Sequence, residues 1–191
     1  MSYRTIASTL IGTGTLALSV ALIPVASASP SAAHQQAALA TITLHYDDSQ
    51  AAEFKSAVVA GANSWNASVK NVRLVEATAG TRAEIRIIAF DGWPQSTLGP
   101  VRPGGSGTVW FGREAVNEGY NTIRIAAHEL GHSLGLPDNK PGPCSSLMSG
   151  STGGVSCTNA TPNASERAAV EANYASSAAP RLTGGPVVDA P

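Results

Sequence analysis

The stretch "AAHELGHSLGLPDN", from Ala126 to Asn139, contains two of the chain's four histidines, spaced four residues apart. On a helix, residues i and i+4 lie on one face, one turn apart. His128 and His132 can therefore direct two imidazole nitrogens at a single zinc ion. The stretch predicts a helix that carries part of a metal site.

Two acidic residues and a glycine extend this predicted site. Glu129 lies too far round the helix to share the metal, but it can reach a bound water, which suits a general base. A catalytic zinc site usually takes three protein ligands. Gly135 can end the helix in a left-handed turn, so the chain can double back and bring Asp138 to the metal. We therefore expect one catalytic Zn²⁺ held by His128, His132 and Asp138.

The two ends of the chain differ in composition from its middle. Residues 1–28 have the positive start, apolar stretch and small-residue cleavage site of a secretory signal peptide, with a retained membrane anchor as the alternative. Residues 29–40 are small and polar and are predicted to be a pro-segment or spacer. Residues 176–191, rich in proline and glycine, are predicted to form a flexible C-terminal tail. Residues 41–175 suffice for one domain with a single core.

Charge and cysteine content indicate the compartment and the partners. The net charge is −1 with both signs scattered, so no nucleic acid or membrane surface is expected as a partner. Cys144 and Cys157 are the two cysteines of the chain. If the chain is exported, they are predicted to form one disulfide; if it is not exported, they are predicted to be free thiols. We expect a secreted, extracellular monomer.

Hydrophobic periodicity predicts an α+β domain with a mixed sheet. Strands are predicted at Thr41–Tyr46, Asn71–Ala77, Ala83–Phe90 and Thr108–Gly112, the last near a sheet edge. The intervening segment 91–107, rich in proline and glycine, is predicted to be a loop.

Capping residues mark the starts of three predicted helices. Asp48 is predicted to cap a helix that continues through Trp65, and Asn121 or Thr122 to cap the helix of the histidines. Asn163, followed three residues later by Glu166, predicts a capping box for a C-terminal helix. The face of the histidine helix that should pack on the sheet comprises Ile123, Ala127, Leu130 and Leu134.

The predicted donor set fits hydrolysis of a peptide bond. Zinc lowers the pKa of its water and polarises a carbonyl, and Glu129 can remove the proton and deliver it to the leaving amine. The sequence therefore predicts a secreted zinc-dependent endopeptidase that acts on proteins or peptides through a zinc-activated water. The alternative is an exported zinc-binding domain that binds peptides without cutting them, which would not need Glu129.

The residues "HELGHSLGLPD" (His128–Asp138) resemble the metzincin pattern H-E-x-x-H-x-x-G-x-x-H/D, in the aspartate form typical of the snapalysin family of small secreted neutral zinc metalloproteases. Three other segments are similar to this family: "TITLHYDDSQ" (Thr41–Gln50), "GPCSSLMSG" (Gly142–Gly150) and "SCTNATPNASERAAV" (Ser156–Val170). The resemblance implies a metzincin-like α+β fold, with a mixed twisted sheet, an active-site helix and a C-terminal helix.

The resemblance also implies roles for particular residues. His128, His132 and Asp138 would be the metal ligands and Glu129 the catalytic base.

It further implies a Cys144–Cys157 disulfide and places Met148 in the Met-turn beneath the zinc, where the alternative is an ordinary core methionine. Metzincins pair the substrate with an edge strand, for which Thr108–Gly112 is the candidate.

Two positions depart from the family pattern. Lys140 stands where family members carry a tyrosine, so it is either a cation for the oxyanion or a solvated surface residue. Asn121 and Ile123 stand where the family has calcium-binding residues, and neutral or apolar side chains suit calcium poorly. We therefore do not expect the family's calcium site.

Overall fold

A six-stranded mixed sheet forms the centre of the protein. The computed structural model describes residues 40–176 and 185–189, all within the compact unit 37–191. The strands are β1 (Ile42–Gln50), β2 (Val72–Glu76), β3 (Ile85–Phe90), β4 (Gln95–Thr97), β5 (Gly107–Gly112) and β6 (Pro186–Val188). Their order in the sheet is β2-β1-β3-β5-β4-β6. The first four in this order are parallel to one another, and β4 is antiparallel to both β5 and β6.

In the part of the chain that the structure describes, four α-helices accompany the sheet. They are α1 (Lys55–Ser68), α2 (Arg113–Asn117), α3 (Thr122–Ser133) and α4 (Ala164–Asn173), with 3-10 turns at Ala52–Phe54 and Leu147–Gly153. The predicted α+β class is confirmed, with the active-site helix as α3 and the C-terminal helix as α4. Among the described residues, no helix is both long and apolar enough to cross a membrane.

The core lies between the sheet and the helices α1 and α3. Alternate residues of β1 point inward, so Leu44 and Tyr46 are buried, as the period of two in a strand requires. Trp65 of α1 is fully buried, and its indole nitrogen donates a 2.7 Å hydrogen bond to the carbonyl of Ala127. Since Ala127 precedes His128 on α3, the core directly fixes the helix of the predicted site.

Three local predictions are wrong for identifiable reasons. Asp48 caps no helix, because β1 continues to Gln50, where it pairs with β3, and α1 begins only at Lys55. The predicted loop 91–107 contains β4, a strand too short to show a periodic pattern. Pairing with β4 also makes β5 an interior strand, so Thr108–Gly112 is not at the sheet edge.

The structure also differs from two predictions, one at the start of α3 and one near the C-terminus. Ile123 is 39% exposed, because α3 begins at the protein surface, and only the later members of its predicted face are buried. Pro186–Val188 form a strand rather than part of a flexible tail, because their backbone pairs with β4. The predicted signal peptide, residues 1–28, and all but the last residue of the predicted pro-segment lie outside the described residues.

The predicted disulfide between Cys144 and Cys157 is present. It ties the segment that leads into the 3-10 turn Leu147–Gly153 to the segment before α4. A crosslink stabilises mainly by restricting the unfolded chain, and a loop of about 15 residues corresponds to about 3 kcal/mol.

We predict that replacing both cysteines by serine lowers the free energy of unfolding by about 3 kcal/mol. Thermal unfolding followed by circular dichroism, with and without reductant, measures the effect. Reductant should lower the melting temperature of the wild-type protein and leave that of the double variant unchanged. An equal response of both proteins to reductant would contradict the prediction.

Candidate active site

Helix α3 presents two buried imidazoles to the same point. Asn121 caps the helix through a 3.0 Å hydrogen bond from the Arg124 amide to its side chain, as predicted. One turn apart on this helix, His128 and His132 are at most 1% exposed, and their rings lie nearly perpendicular at a centroid distance of 4.6 Å.

A left-handed turn after α3 brings the third predicted ligand to these rings. Gly135 has φ +96°, a conformation that favours glycine. Its amide donates to the carbonyl of His132, and the amide of Leu136 donates to that of Gly131, which together make a Schellman motif. The chain then reverses, and Asp138 comes to lie over the two histidines.

Asp138 lies at distances from the two histidines that match ligands of a tetrahedral metal site. Asp138 Oδ1 lies 3.3 Å from His128 Nε2 and 3.5 Å from His132 Nε2. Ligands bound at 2.0–2.1 Å in a tetrahedron are about 3.4 Å apart. Within the described part of the chain, these three atoms are buried without a hydrogen-bond partner. Buried polar atoms are rarely left unsatisfied, so this donor set fits a zinc ion.

Backbone carbonyls fix the orientation of both imidazoles. His128 Nδ1 donates to the carbonyl of Leu147 at 3.0 Å, and His132 Nδ1 donates to that of Leu136 at 2.7 Å. Because a carbonyl only accepts hydrogen bonds, each Nδ1 carries the proton and each Nε2 keeps its lone pair. This tautomer is the one that binds a metal through Nε2.

Glu129 lies beside the two histidines with one oxygen held and the other unpaired. Ser96 of β4 donates a 2.6 Å hydrogen bond to Glu129 Oε2, whereas Oε1 has no hydrogen-bond partner among the described residues. Ligand atoms of Glu129, His128 and His132 all lie within 4.8 Å of one another. Burial raises the pKa of Glu129 to about 8, although its electrostatic interaction with His132 opposes the rise.

Lys140 faces the site instead of the solvent. Its Nζ lies 3.7 Å from Asp138 Oδ2 and contacts Asp189 Oδ1, and its side chain is 19% exposed. Burial alone would raise the pKa of Asp138, but its interactions with His128 and His132 hold that pKa well below its usual range. A carboxylate that stays ionised suits a metal ligand.

Met148 packs against Gly131 of α3, the residue before His132, and is 1% exposed. The carboxylate of Glu166 holds the turn around it, accepting from Ser146 Oγ at 2.7 Å and from the amides of Leu147 and Met148 at 3.2 and 2.9 Å. The capping box predicted for α4 is confirmed, since Glu166 also accepts from the Asn163 amide. Its second role, in the site, has no local signal in the sequence.

Arg124 also holds the turn around Met148 in place. Its guanidinium donates to the carbonyls of Ser146 and Gly150 at 3.0 and 3.3 Å and to Ser149 Oγ at 2.9 Å. Burial lowers the pKa of Arg124. Like Glu166, Arg124 reaches the turn only through tertiary packing, which is why its spacing in the sequence does not reveal it.

Asp189 is a further site residue that the sequence does not predict. Its Oδ2 lies 3.9 Å from His128 Nε2, and it is 5% exposed. The residue follows β6 in the segment predicted to be flexible, where composition gives no indication of a site.

The predicted residues thus fall into one buried cluster. The structure brings together His128, Glu129, His132, Asp138, Lys140 and Met148. Asn121 caps α3, and Cys144 and Cys157 stabilise the adjacent loop. A mixed sheet with two histidines, a carboxylate and a buried glutamate around one point is the arrangement of a zinc metalloprotease.

Comparison with known proteins identifies the family. A sequence model of the Streptomyces extracellular neutral proteinase (M7) family matches residues 41–177. The chain belongs to this family, and the resemblance to snapalysins is confirmed.

Three relatives are named extracellular small neutral protease. Those of Streptomyces coelicolor and Streptomyces lividans are 40% and 39% identical over 70% and 78% of this chain, which spans only 60% and 61% of their length. That of Streptomyces caespitosus is 40% identical over 71% of this chain and 98% of its own length. High choriolytic enzyme 1, a hatching enzyme zinc-protease from Oryzias latipes, gives a TM-score of 0.38 at 22% identity, over 51% of this chain and 46% of that one.

We predict that Glu166→Ala destabilises the protein by about 3 kcal/mol, because the buried amides of Leu147 and Met148 lose a charged acceptor. Urea unfolding of this variant should show a lower midpoint with an unchanged slope. Glu118→Gln is the control, since Glu118 is exposed and its replacement should leave the midpoint within about 0.5 kcal/mol of wild type. Equal midpoints for the two variants would contradict this role of Glu166.

Proposed function

We propose that the protein is a secreted zinc-dependent endopeptidase that hydrolyses peptide bonds in proteins. His128, His132 and Asp138 hold the zinc ion, and Glu129 is the general base. The observation that carries the proposal is the convergence of three buried, unpaired ligand atoms at separations of 3.3 and 3.5 Å beside a buried glutamate. Family membership and the names of the relatives support it.

Different residues of this chain have different roles in the proposed reaction. Zinc, when bound, supplies a Lewis acid that lowers the pKa of water and polarises a carbonyl. Glu129 accepts the proton of the attacking water on Oε1 and then delivers it to the leaving nitrogen. Ser96 keeps Oε2 in place, so that Oε1 faces the reacting atoms.

Other groups near the ion set its environment. The negative charge of Asp138 makes the centre a weaker Lewis acid than three neutral histidines would, which increases the demand on Glu129. Met148 is buried against Gly131, which lies between the two histidines in the chain, and the neighbouring Leu147 carbonyl holds the His128 ring.

Secretion is supported by two independent observations. The relatives are named extracellular. The protein also contains a disulfide, Cys144–Cys157, and disulfides persist in oxidising compartments and are rare in the cytosol.

We predict that Glu129→Gln lowers the rate of casein hydrolysis by about 100- to 10,000-fold, the usual contribution of a general base. Zinc content should remain one ion per chain, as measured by atomic emission. His128→Ala provides the contrast, because it should lose both zinc and activity. Unchanged hydrolysis by Glu129→Gln would exclude the mechanism.

The alternative function, a zinc-binding peptide-binding domain without catalysis, is tested by the same variants. A protein that only binds would retain zinc, bind casein and hydrolyse none of it before or after the substitution.

We predict that Ser96→Ala lowers kcat about tenfold with little change in KM or zinc content, because it removes one charge-assisted hydrogen bond from Glu129. Ser133→Ala is a matched control: Ser133 is also fully buried, but its hydroxyl has no hydrogen-bond partner in the described ranges. Steady-state kinetics on one peptide substrate distinguishes the two variants. Equal kcat values would show that Ser96 does not position the base.

A further inference from the structure

The C-terminal strand β6 lies along the strand that carries Ser96. Within the described ranges, β6 is antiparallel to β4, with Gln95 opposite Val188 and Ser96 opposite Val187. The pairing continues past β6, since the amide of Asp189 donates to the carbonyl of Pro94 at 2.8 Å. An extended segment that adds a strand to a sheet beside an active site occupies the position of a bound peptide.

Asp189, the residue after β6, has a carboxylate that several groups hold in place. Asp189 Oδ1 accepts from the Ser151 amide at 3.3 Å and contacts Lys140 Nζ. Gly150 leaves the space for it, because a Cβ at that position would collide with the Asp189 carboxylate. The side chain therefore occupies a formed recess and does not extend into solvent.

The other oxygen of Asp189 is directed at the metal centre. Oδ2 lies 3.9 Å from His128 Nε2, and ligand atoms of His128, Asp138 and Asp189 all lie within 4.8 Å of one another. Two carboxylates this close repel each other, and Lys140, with a single positive charge, contacts both. A divalent cation between the carboxylates would compensate the remaining negative charge.

We infer that Asp189 is an additional ligand of the zinc ion and that β6 holds the enzyme in a latent form. The inference rests on the proposed function of the site. A catalytic zinc site keeps one position open, whereas a fourth protein ligand closes it. Asp189 fills that position, and β6 covers β4, so neither water nor a substrate strand can enter until the segment is displaced or removed. Asp189 lies outside the part of the chain that the family model matches, residues 41–177.

The first experiment compares the full secreted chain with Asp189→Asn and with a chain that ends at Ser176. Val188→Thr is the matched control, because Val188 lies in the same strand, is half exposed and contributes no carboxylate. Peptide hydrolysis by the first two should be about tenfold faster than by wild type, as expected when about nine chains in ten are closed. Val188→Thr should retain the wild-type rate.

The second experiment measures zinc binding without catalysis. Each zinc-loaded protein is titrated with a chelator of known affinity, and Asp189→Asn should release zinc at an about 10- to 100-fold lower chelator concentration than wild type. The absorption spectrum of the cobalt-substituted protein should also change with Asp189→Asn and not with Val188→Thr. These readouts report ligation even if the protein hydrolyses nothing.

The two measurements separate the inference from the proposed function. Wild-type hydrolysis and wild-type zinc retention in Asp189→Asn would overturn the inference and leave the endopeptidase intact. Easier loss of zinc from Asp189→Asn, with no hydrolysis by any variant, would support the additional ligand and overturn the proposed function. Faster hydrolysis together with easier loss of zinc supports both.

Discussion

Three buried polar atoms that have no hydrogen-bond partner among the described residues impose the main constraint on this structure. His128 Nε2, His132 Nε2 and Asp138 Oδ1 are all removed from water and face one another. Leaving such groups unsatisfied costs about 1–3 kcal/mol each, and a cation at their centre would remove this cost. The turn at Gly135 and the hydrogen bonds from the two Nδ1 atoms to the Leu136 and Leu147 carbonyls hold the three atoms in this arrangement.

Several residues combine a local role with a role in the site. Glu166 caps α4 and also binds the backbone around Met148, so the start of one helix and the turn beneath the histidines share one carboxylate. Asn121 caps α3, and Arg124, which follows three residues later on that helix, donates to the Ser146 carbonyl in the turn around Met148. The position of the ligands therefore depends on helix capping as much as on core packing.

The short strand β4 contacts both the buried glutamate of the site and the C-terminal strand β6. Its Ser96 donates a hydrogen bond to Glu129, and its outer edge pairs with β6. Because one strand contacts both the glutamate and the C-terminal segment, whatever occupies that edge lies within reach of the metal centre. Pairing with β6 and orientation of Glu129 thus both depend on three residues, Gln95–Thr97.

Spacing within one or two helical turns was enough to predict the residue cluster of α3, a cap at Asn121 or Thr122, the turn at Gly135 and the capping box of α4. The α+β class followed from the order of periodic segments along the chain. Tertiary structure decided which strand flanks the site, where Lys140 points, and that Glu166 and Asp189 reach it. These features join residues far apart in the chain through backbone pairing and buried hydrogen bonds. Such long-range contacts produce no periodic pattern in the sequence. The composition of β4 is therefore typical of a loop and that of β6 of a flexible tail, and only their pairing in the sheet makes them strands.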